Sequence, residues 1–382
     1  MDTTTLPDTS YRIALLIDSL AGGGAEKVVI ALAHAFALLG HQPVLICLQR
    51  RQEYDMPESI PVHFLYEQKR AKLARTSKRQ AHAQNLSALV SQIEQQHGRF
   101  DLFLSNLDET HYIVSACQFS PCFYVVHNAI QPTLNRALKM GPFKYLRQRR
   151  LFKALQGKAL VAVSDALVAE IQSQNLFKPA SVQRIFNPFD FDAILSQRDE
   201  CEDDIPTQPY IIHIGRFAKQ KRHDVLFKAL RLMQNKSVNL VCLAGNSERI
   251  RQLAIKCGVG DNVMALGFKQ NPYVWIKHAQ CLVLSSDFEG FGNVIVEALA
   301  CNTPVVSTNC PYGPNEIMID EHKEFLVPVD DPKALAEAID KRLDTPMSDV
   351  GDGLRARFDH LQIAHQYLAL VSDEQMSAVK SR

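Results

Sequence analysis

Ser286-Asp287-Phe288-Glu289-Gly290-Phe291-Gly292-Asn293-Val294-Ile295-Val296-Glu297-Ala298-Leu299-Ala300 is the stretch whose reading decides the fold. It follows a short apolar run of strand length, Cys281-Leu282-Val283-Leu284-Ser285, and precedes another, Pro304-Val305-Val306-Ser307. Glycines make the turn between, and the apolar residues beyond them open a helix that runs to about Cys301. Strand, glycine turn, helix, strand is half of a doubly wound α/β sheet, in which ligands sit at the carboxyl ends of the strands. Glu289 lies in the turn, and Glu297 lies eight residues later on the helix. Between them the backbone N–H groups near Gly292, Asn293 and Val294 would meet an anion at the helix N-terminus. Two carboxylates flanking a phosphate cradle suggest sugar or ribose hydroxyls on either side of a phosphate.

Working outward, 382 residues are too many for one ordinary core, so two domains are expected. Hydrophobic content of 46% with 22% charged residues is that of a soluble globular chain. No apolar run is long enough to span a bilayer, and the first residues lack the basic start and apolar stretch of a signal peptide. The nine cysteines are scattered, without zinc-type spacing, and Cys47, Cys242 and Cys281 fall in apolar strands as buried thiols. These features lead us to expect a reduced, cytoplasmic protein. The net charge of +1 hides an asymmetry: from Glu67 to Lys158 fifteen Lys/Arg face five Asp/Glu. Such an excess points to an anionic surface or ligand.

The βα rhythm starts at Tyr11–Ile17 and restarts at Tyr210–Ile214. Gly22, Gly23 and Gly24 follow the first strand and let a ligand approach the backbone. Lys27 stands where a dinucleotide fingerprint needs its third glycine, which argues against a dehydrogenase and leaves a ligand loop or a plain connection. His127 and Asn128 end the strand Phe123–Val126, so His127 is either a ligand-facing residue or one satisfied by local loop carbonyls. Gly215-Arg216-Phe217-Ala218-Lys219-Gln220-Lys221 sets an arginine fork and a lysine point charge just outside a strand. That pair suits a diphosphate, with a generic surface pair as the plain alternative. Lys139 to Lys153 interleaves basic residues with Phe143, Tyr145, Leu146, Leu151 and Phe152. It reads equally as a membrane-interface segment and as a helix packing its apolar side inward. No RNA- or DNA-binding motif accompanies it, so nucleic acid is not an expected partner.

Other expectations concern the frame. Leu73 to Gln96 reads as a polar helix, Asp108 as the cap of a further helix, Asn271 to Ala279 as a helix around a core Trp275, and Glu324 to Val329 as a last strand. Residues 1–192 form a first domain, 193–209 an acidic linker without apolar periodicity, 210–356 a second domain, and 357–382 a C-terminal helix. Asp190-Phe191-Asp192 spells Asp-x-Asp, but at the domain linker rather than after an early nucleotide-binding strand, so a metal site is not expected there.

Glu-Gly-Phe-Gly-Asn-Val-Ile-Val-Glu-Ala at 289–298 resembles the donor-site signature of retaining glycosyltransferases of family 4, which have the GT-B fold. Gly-Gly-Gly-Ala-Glu at 22–26, His-Asn at 127–128 and Gly-Arg-x4-Lys at 215–221 extend the resemblance over nearly the whole chain in the family's order. It departs at Asn187-Pro188-Phe189-Asp190, where the family commonly has Asn-Gly-Val-Asp. The resemblance implies two facing Rossmann-like domains with an inter-domain cleft, the first for the acceptor and the second for the donor. The C-terminal helix would cross back onto the first domain. The implied donor is a UDP-sugar, and the implied acceptor a glycan or lipid-linked glycan of polysaccharide or lipopolysaccharide synthesis. Glu297 would then bind the ribose, and Arg216, Lys221 and the 292–294 N–H groups the diphosphate. Glu289 would hold the transferred sugar, His127 would attend the reacting centre, and Gly22–Gly24 would border the cleft. No cofactor or metal is required on this reading, and an anionic membrane at the cytoplasmic face is the surface that the basic belt, Lys69 to Arg79 and Lys139 to Lys153, suits. A nucleotide-sugar 2-epimerase and a non-catalytic nucleotide-sugar binder are the alternatives.

Overall fold

Ile13 to Ile17 have no exposed surface, and the same is nearly true of Val44–Leu48, Leu102–Leu104 and Leu160–Ala162. Strands so evenly apolar are covered on both faces, the condition of a parallel sheet flanked by helices. In the computed structural model, which describes residues 10–380 apart from 22, 52, 55–58, 68–72 and 348–350, they build one of two units. The first comprises the chain up to Asp190 together with Phe358 onward, and the second Phe191–Arg357.

The first unit holds a sheet of β1 (Arg12–Ile17), β2 (Gln42–Gln49), β3 (Val62–Tyr66), β4 (Leu102–Asn106), β5 (Cys122–Val126), β6 (Ala159–Ala162) and β7 (Ser181–Arg184). Its order is β3-β2-β1-β4-β5-β6-β7, and every pair is parallel. The order reverses between β1 and β4, so their carboxyl ends flank the crevice where such sheets take ligands. The second unit holds β8 (Tyr210–Ile214), β9 (Asn239–Leu243), β10 (Val263–Ala265), β11 (Leu282–Leu284), β12 (Val305–Thr308) and β13 (Leu326–Val327). Its order is β10-β9-β8-β11-β12-β13, again all parallel, and the reversal falls between β8 and β11. The Gly215–Lys221 and Ser286–Gly292 turns leave those two strands, so topology alone brings them together.

Several expectations need correction. Residues 193–209 are not simply a linker: Phe191–Arg198 is a helix of the second unit, anchored by buried Phe191 and Ile194. The Asn271 side-chain amide donates to the Gln197 carbonyl at 2.8 Å, and Lys277 pairs with Asp199 at 2.8 Å. Two apolar anchors among so many acids leave no periodicity to detect. Asp108 is not a cap: it is the first residue of the helix Asp108–Val114, and its carboxylate accepts from Gln148. Glu324 to Val329 is largely not strand, because a 3-10 helix, Asp320–Phe325, reduces β13 to two residues. Leu73 to Gln96 starts its α-helix only at Arg79, and β3 carried no readable signal because every residue in it is half-buried. Trp275 is fully buried, as expected, and Cys47, Cys242 and Cys281 are buried thiols, pushed up to about 12 by burial.

Lys139 to Lys153 divides its apolar residues. The chain breaks at Gly141, with φ of 116°, between the helices Ile130–Lys139 and Pro142–Lys153. Leu151 and Phe152 pack inward, whereas Leu138, Met140 and Leu146 are exposed and Phe143 is 87% exposed. Lys69, Arg70 and Lys72, the start of the basic belt, lie outside the described residues. Among the described residues no helix is long and apolar enough to cross a membrane.

Candidate active site

In the second unit a polar cluster forms at the β8/β11 reversal. Lys221 ends a 3-10 turn after β8, and its Nζ lies 2.7 Å from Glu289 Oε1. Gly215 makes room for this: a Cβ there would sit 3.1 Å from the Lys221 side chain. Ser286 Oγ donates to the same Glu289 oxygen at 2.5 Å. Glu289 is 8% exposed, and a side chain so buried needs polar partners of this kind. Its backbone N–H donates to the Pro311 carbonyl at 3.2 Å. Gly313 lets the Phe291 backbone pass closely in the same turn, since a Cβ there would fall 1.7 Å from the Phe291 carbonyl oxygen.

Gly292, with φ of 98°, is the N-cap of the helix Asn293–Ala300, and Asn293 and Val294 are its half-buried first residues. The first turn of a helix directs backbone N–H groups outward, the feature that the sequence reading assigned to an anion. Glu297 lies on the same helix, is 5% exposed, and accepts from the Tyr273 hydroxyl at 3.3 Å. Arg216 is exposed on the β8 turn. The second unit therefore brings Lys221 and Glu289 into direct contact, with Arg216 on the turn after β8, Gly292–Val294 at the start of the helix that follows β11, and Glu297 further along that helix.

Sequence reasoning missed the brace that holds this arrangement. Arg222 sits in the left-handed region at φ of 48°. Its guanidinium spans Asp224 at 3.0 Å, Asp287 at 2.7 Å and Asp330 at 2.5 Å. It thereby ties the β8 turn to the β11 turn and to the turn after β13. Gln220 adds a side-chain bond to the Phe288 carbonyl at 2.6 Å, and Ser285 Oγ donates to the Lys221 carbonyl at 2.8 Å. The only signal available was an arginine next to Lys221, which nothing in the local pattern singles out.

In the first unit, His127 follows β5 and lies 2.9 Å from Asn106 Oδ1 through Nε2. Asn106 Nδ2 is spent on the carbonyls of Leu16 and Leu104, at 3.2 and 3.1 Å. The amide oxygen must therefore face His127, so Nε2 carries the proton and Nδ1 is left as an acceptor without a protein partner. Desolvation lowers the ring's pKa to about 4, which keeps it neutral at physiological pH. The reading in which local loop carbonyls satisfy His127 thus fails: its partner comes from another strand. Asp18, after β1, accepts from Thr110 through both N–H and Oγ1, at 2.7 and 2.6 Å. Burial raises its carboxyl to about 7. Asn106 and Asp18 were not foreseen, because a polar residue ending an apolar strand is common.

Of the glycine loop, Gly22 lies outside the described residues. Gly23 is the N-cap of the helix Gly24–Leu38, and a Cβ on it would strike the Glu26 carboxylate at 2.3 Å. Asp190 and Asp192 do not share a ligand site, since Asp192 pairs with Arg355 at 2.7 Å and Asp190 lies 3.1 Å from His34.

Two parallel α/β units with polar clusters at their topological switch points define a glycosyltransferase of the GT-B class. Residues 22–193 match the family described as Glycosyltransferase Family 4, and residues 199–359 match Glycosyl transferases group 1. The chain belongs to this family of group 1, family 4 glycosyltransferases. A similar protein is the N-acetylgalactosamine-N,N'-diacetylbacillosaminyl-diphospho-undecaprenol 4-alpha-N-acetylgalactosaminyltransferase of Campylobacter jejuni, 24% identical over 87% of this chain and 90% of that one. The lipopolysaccharide core biosynthesis glycosyltransferase LpsD of Rhizobium meliloti is 30% identical over 42% of this chain and 48% of its own length. Among solved structures, Anabaena HepE in complex with UDP and glucose superposes with a TM-score of 0.69 at 20% identity, covering 95% of this chain and all of that one.

Proposed function

We propose that this glycosyltransferase moves a hexosyl or N-acetylhexosaminyl group from a UDP-sugar, with retention at the anomeric carbon, to a glycan or lipid-linked acceptor. The observation that carries the reading is the buried Lys221–Glu289–Ser286 cluster on the same strand ends as Glu297 and the Gly292 turn. An ammonium, two carboxylates and a helix N-terminus match the parts of a nucleoside diphosphate sugar. Glu297 takes the ribose hydroxyls. Arg216, Lys221 and the N–H groups of Asn293 and Val294 take the diphosphate, and Glu289 the sugar hydroxyls.

Charge builds on the leaving diphosphate as the glycosidic bond stretches toward an oxocarbenium-like transition state. Fixed cations and N–H dipoles stabilise that charge without having to reorganise. Lys221, already oriented by Glu289, supplies such a cation, so no metal is required on this reading. Neutral His127, whose buried Nδ1 has no protein hydrogen-bond partner, is the residue this reading sets near the reacting centre. The UDP in the HepE complex and the diphospho-undecaprenol acceptor in the name of the Campylobacter relative support these donor and acceptor classes. The exposed Phe143, Leu146 and neighbouring basic residues suit a lipid-linked acceptor reached at an anionic membrane face.

The test is a screen of nucleotide sugars for slow hydrolysis, followed by NMR of the anomer formed with an acceptor. UDP-sugar turnover with retained configuration is expected. An epimer from donor alone would make this an epimerase, and binding without turnover would make it a sensor.

A further inference from the structure

His34, Asp190 and His360 bring three ligand-type atoms within 4.8 Å of one another, all in the first unit. His34 is on the helix Gly24–Leu38, Asp190 ends the chain's first passage through the unit, and His360 opens the returning helix His360–Lys380. Asp190 Oδ2 lies between the two rings, 3.1 Å from His34 Nδ1 and 3.7 Å from His360 Nε2. The rings are stacked, with planes 10° apart.

His360 makes this more than a chance cluster. It is 5% exposed, and neither of its ring nitrogens has a hydrogen-bond partner. A buried imidazole without partners is unfavourable unless something else takes its lone pair. Nε2 faces the Asp190 oxygen at a distance too long for a hydrogen bond but suited to a shared ion. On its far side Nδ1 faces Asp359 Oδ2 at 3.7 Å. Asp359 is itself held, its other oxygen accepting from the Leu361 and Gln362 N–H groups at 3.0 and 3.3 Å. At 3.7 Å it makes no hydrogen bond to the ring, but a small turn of the ring would let Nδ1–H donate to it, the usual device that fixes the tautomer of a ligating histidine.

We propose that His34, Asp190 and His360 bind one divalent transition ion of the zinc class, with water in the fourth position on the solvent side, where His34 is 39% exposed. Two imidazoles and one carboxylate favour such an ion over magnesium or calcium, which take oxygen ligands. Ligand bonds of about 2.0–2.1 Å require the three atoms to draw closer, and rotation of the exposed His34 ring supplies that movement. The ion joins residues 156 and 170 positions apart in the chain and so pins the departing and returning segments to one helix. Its role is structural, separate from the donor site.

The experiment uses the full chain stripped with chelator, titrated with Zn²⁺ by calorimetry and with Co²⁺ by absorbance, with unfolding temperature measured in parallel. One ion per chain, a tetrahedral cobalt spectrum without thiolate bands, and a raised unfolding temperature are expected. His34→Ala and Asp190→Asn should each weaken Zn²⁺ at least about tenfold and abolish the temperature shift. His34→Ala, at a part-exposed position, should leave the ion-free unfolding temperature and donor turnover as in the wild type. Absence of saturable micromolar Zn²⁺ binding, or His34→Ala binding as tightly as the wild type, would overturn the proposal.

Discussion

Lys221 Nζ and Glu289 Oε1 form a 2.7 Å ion pair whose side chains are 15% and 9% exposed, in the second unit of a chain that belongs to the group 1 glycosyltransferases. The cation read from sequence as a diphosphate ligand and the carboxylate read as a sugar ligand are thus each other's partners. Removing either one alone strands a buried charge, which typically costs about 3–5 kcal/mol. Lys221→Ala should therefore lower both stability and turnover. Lys221→Met combined with Glu289→Gln should recover most of the stability in denaturant melts while turnover stays lost. A double variant no more stable than Lys221→Ala would mean that the pair is not the source of the loss.

Glu289 and Glu297 should separate in calorimetry with UDP. Glu297→Ala should weaken UDP by about 1–3 kcal/mol, the size of a charge-assisted hydrogen bond. Glu289→Ala should leave UDP affinity unchanged or raised, because Lys221 is released to the diphosphate, while turnover falls sharply. Equal losses of UDP affinity in both variants would remove this division of roles.

Chelation should leave turnover intact when assayed well below the unfolding temperature. Arg216→Ala should cost about 2–4 kcal/mol of transition-state stabilisation, the size seen when one fixed oxyanion donor is removed. Asp192→Asn should change little, because its exposed pair with Arg355 is of the kind worth about 0–1 kcal/mol. Loss of turnover in EDTA, restored by magnesium or manganese, would show that a metal and not Lys221 offsets the diphosphate.

Asp18 should leave a signature in pH-dependent stability. Its folded pKa of about 7 lies above the ordinary 3.8, because burial disfavours the charged form. Below about pH 4 the group is protonated in both states. Between there and about pH 7 only the folded state holds the proton, so stability declines as pH rises, by up to about 4 kcal/mol. Asp18→Asn keeps an acceptor for Thr110 and removes the charge. Its stability advantage over the wild type should grow between about pH 5 and about pH 8, and a flat difference would rule out the raised carboxyl.

The belt of Arg136, Lys139, Lys144 and Lys153 around Phe143 should bind anionic but not neutral vesicles in flotation, and release them at high salt. Each basic residue near the surface contributes about 1 kcal/mol. Phe143→Asp should weaken flotation without changing hydrolysis of the free donor. Equal recovery of the wild type in the unbound fraction with both lipids would leave these helices as a solvated face.

Period and punctuation in the chain determined most of the frame. Apolar strands such as Ile13–Ile17 and Tyr210–Ile214 can be stable only when covered on both faces, and glycine turns beyond them mark the strand ends at which such sheets commonly take ligands. The Glu289 to Glu297 stretch was legible because its turn and helix are local, held together over a few residues. What only the tertiary structure decided are relations between residues far apart in the chain. Lys221 against Glu289, the Arg222 brace and Asn106 behind His127 join segments that the sheet order brings together, and His34 with Asp190 and His360 joins segments that helix packing within the first unit brings together. A side chain's charge state and partner depend on burial, and burial is a property of the packed fold. The helix Phe191–Arg198 makes the same point, since its one acid, Asp192, faces solvent and its two buried anchors show only once their neighbours are in place.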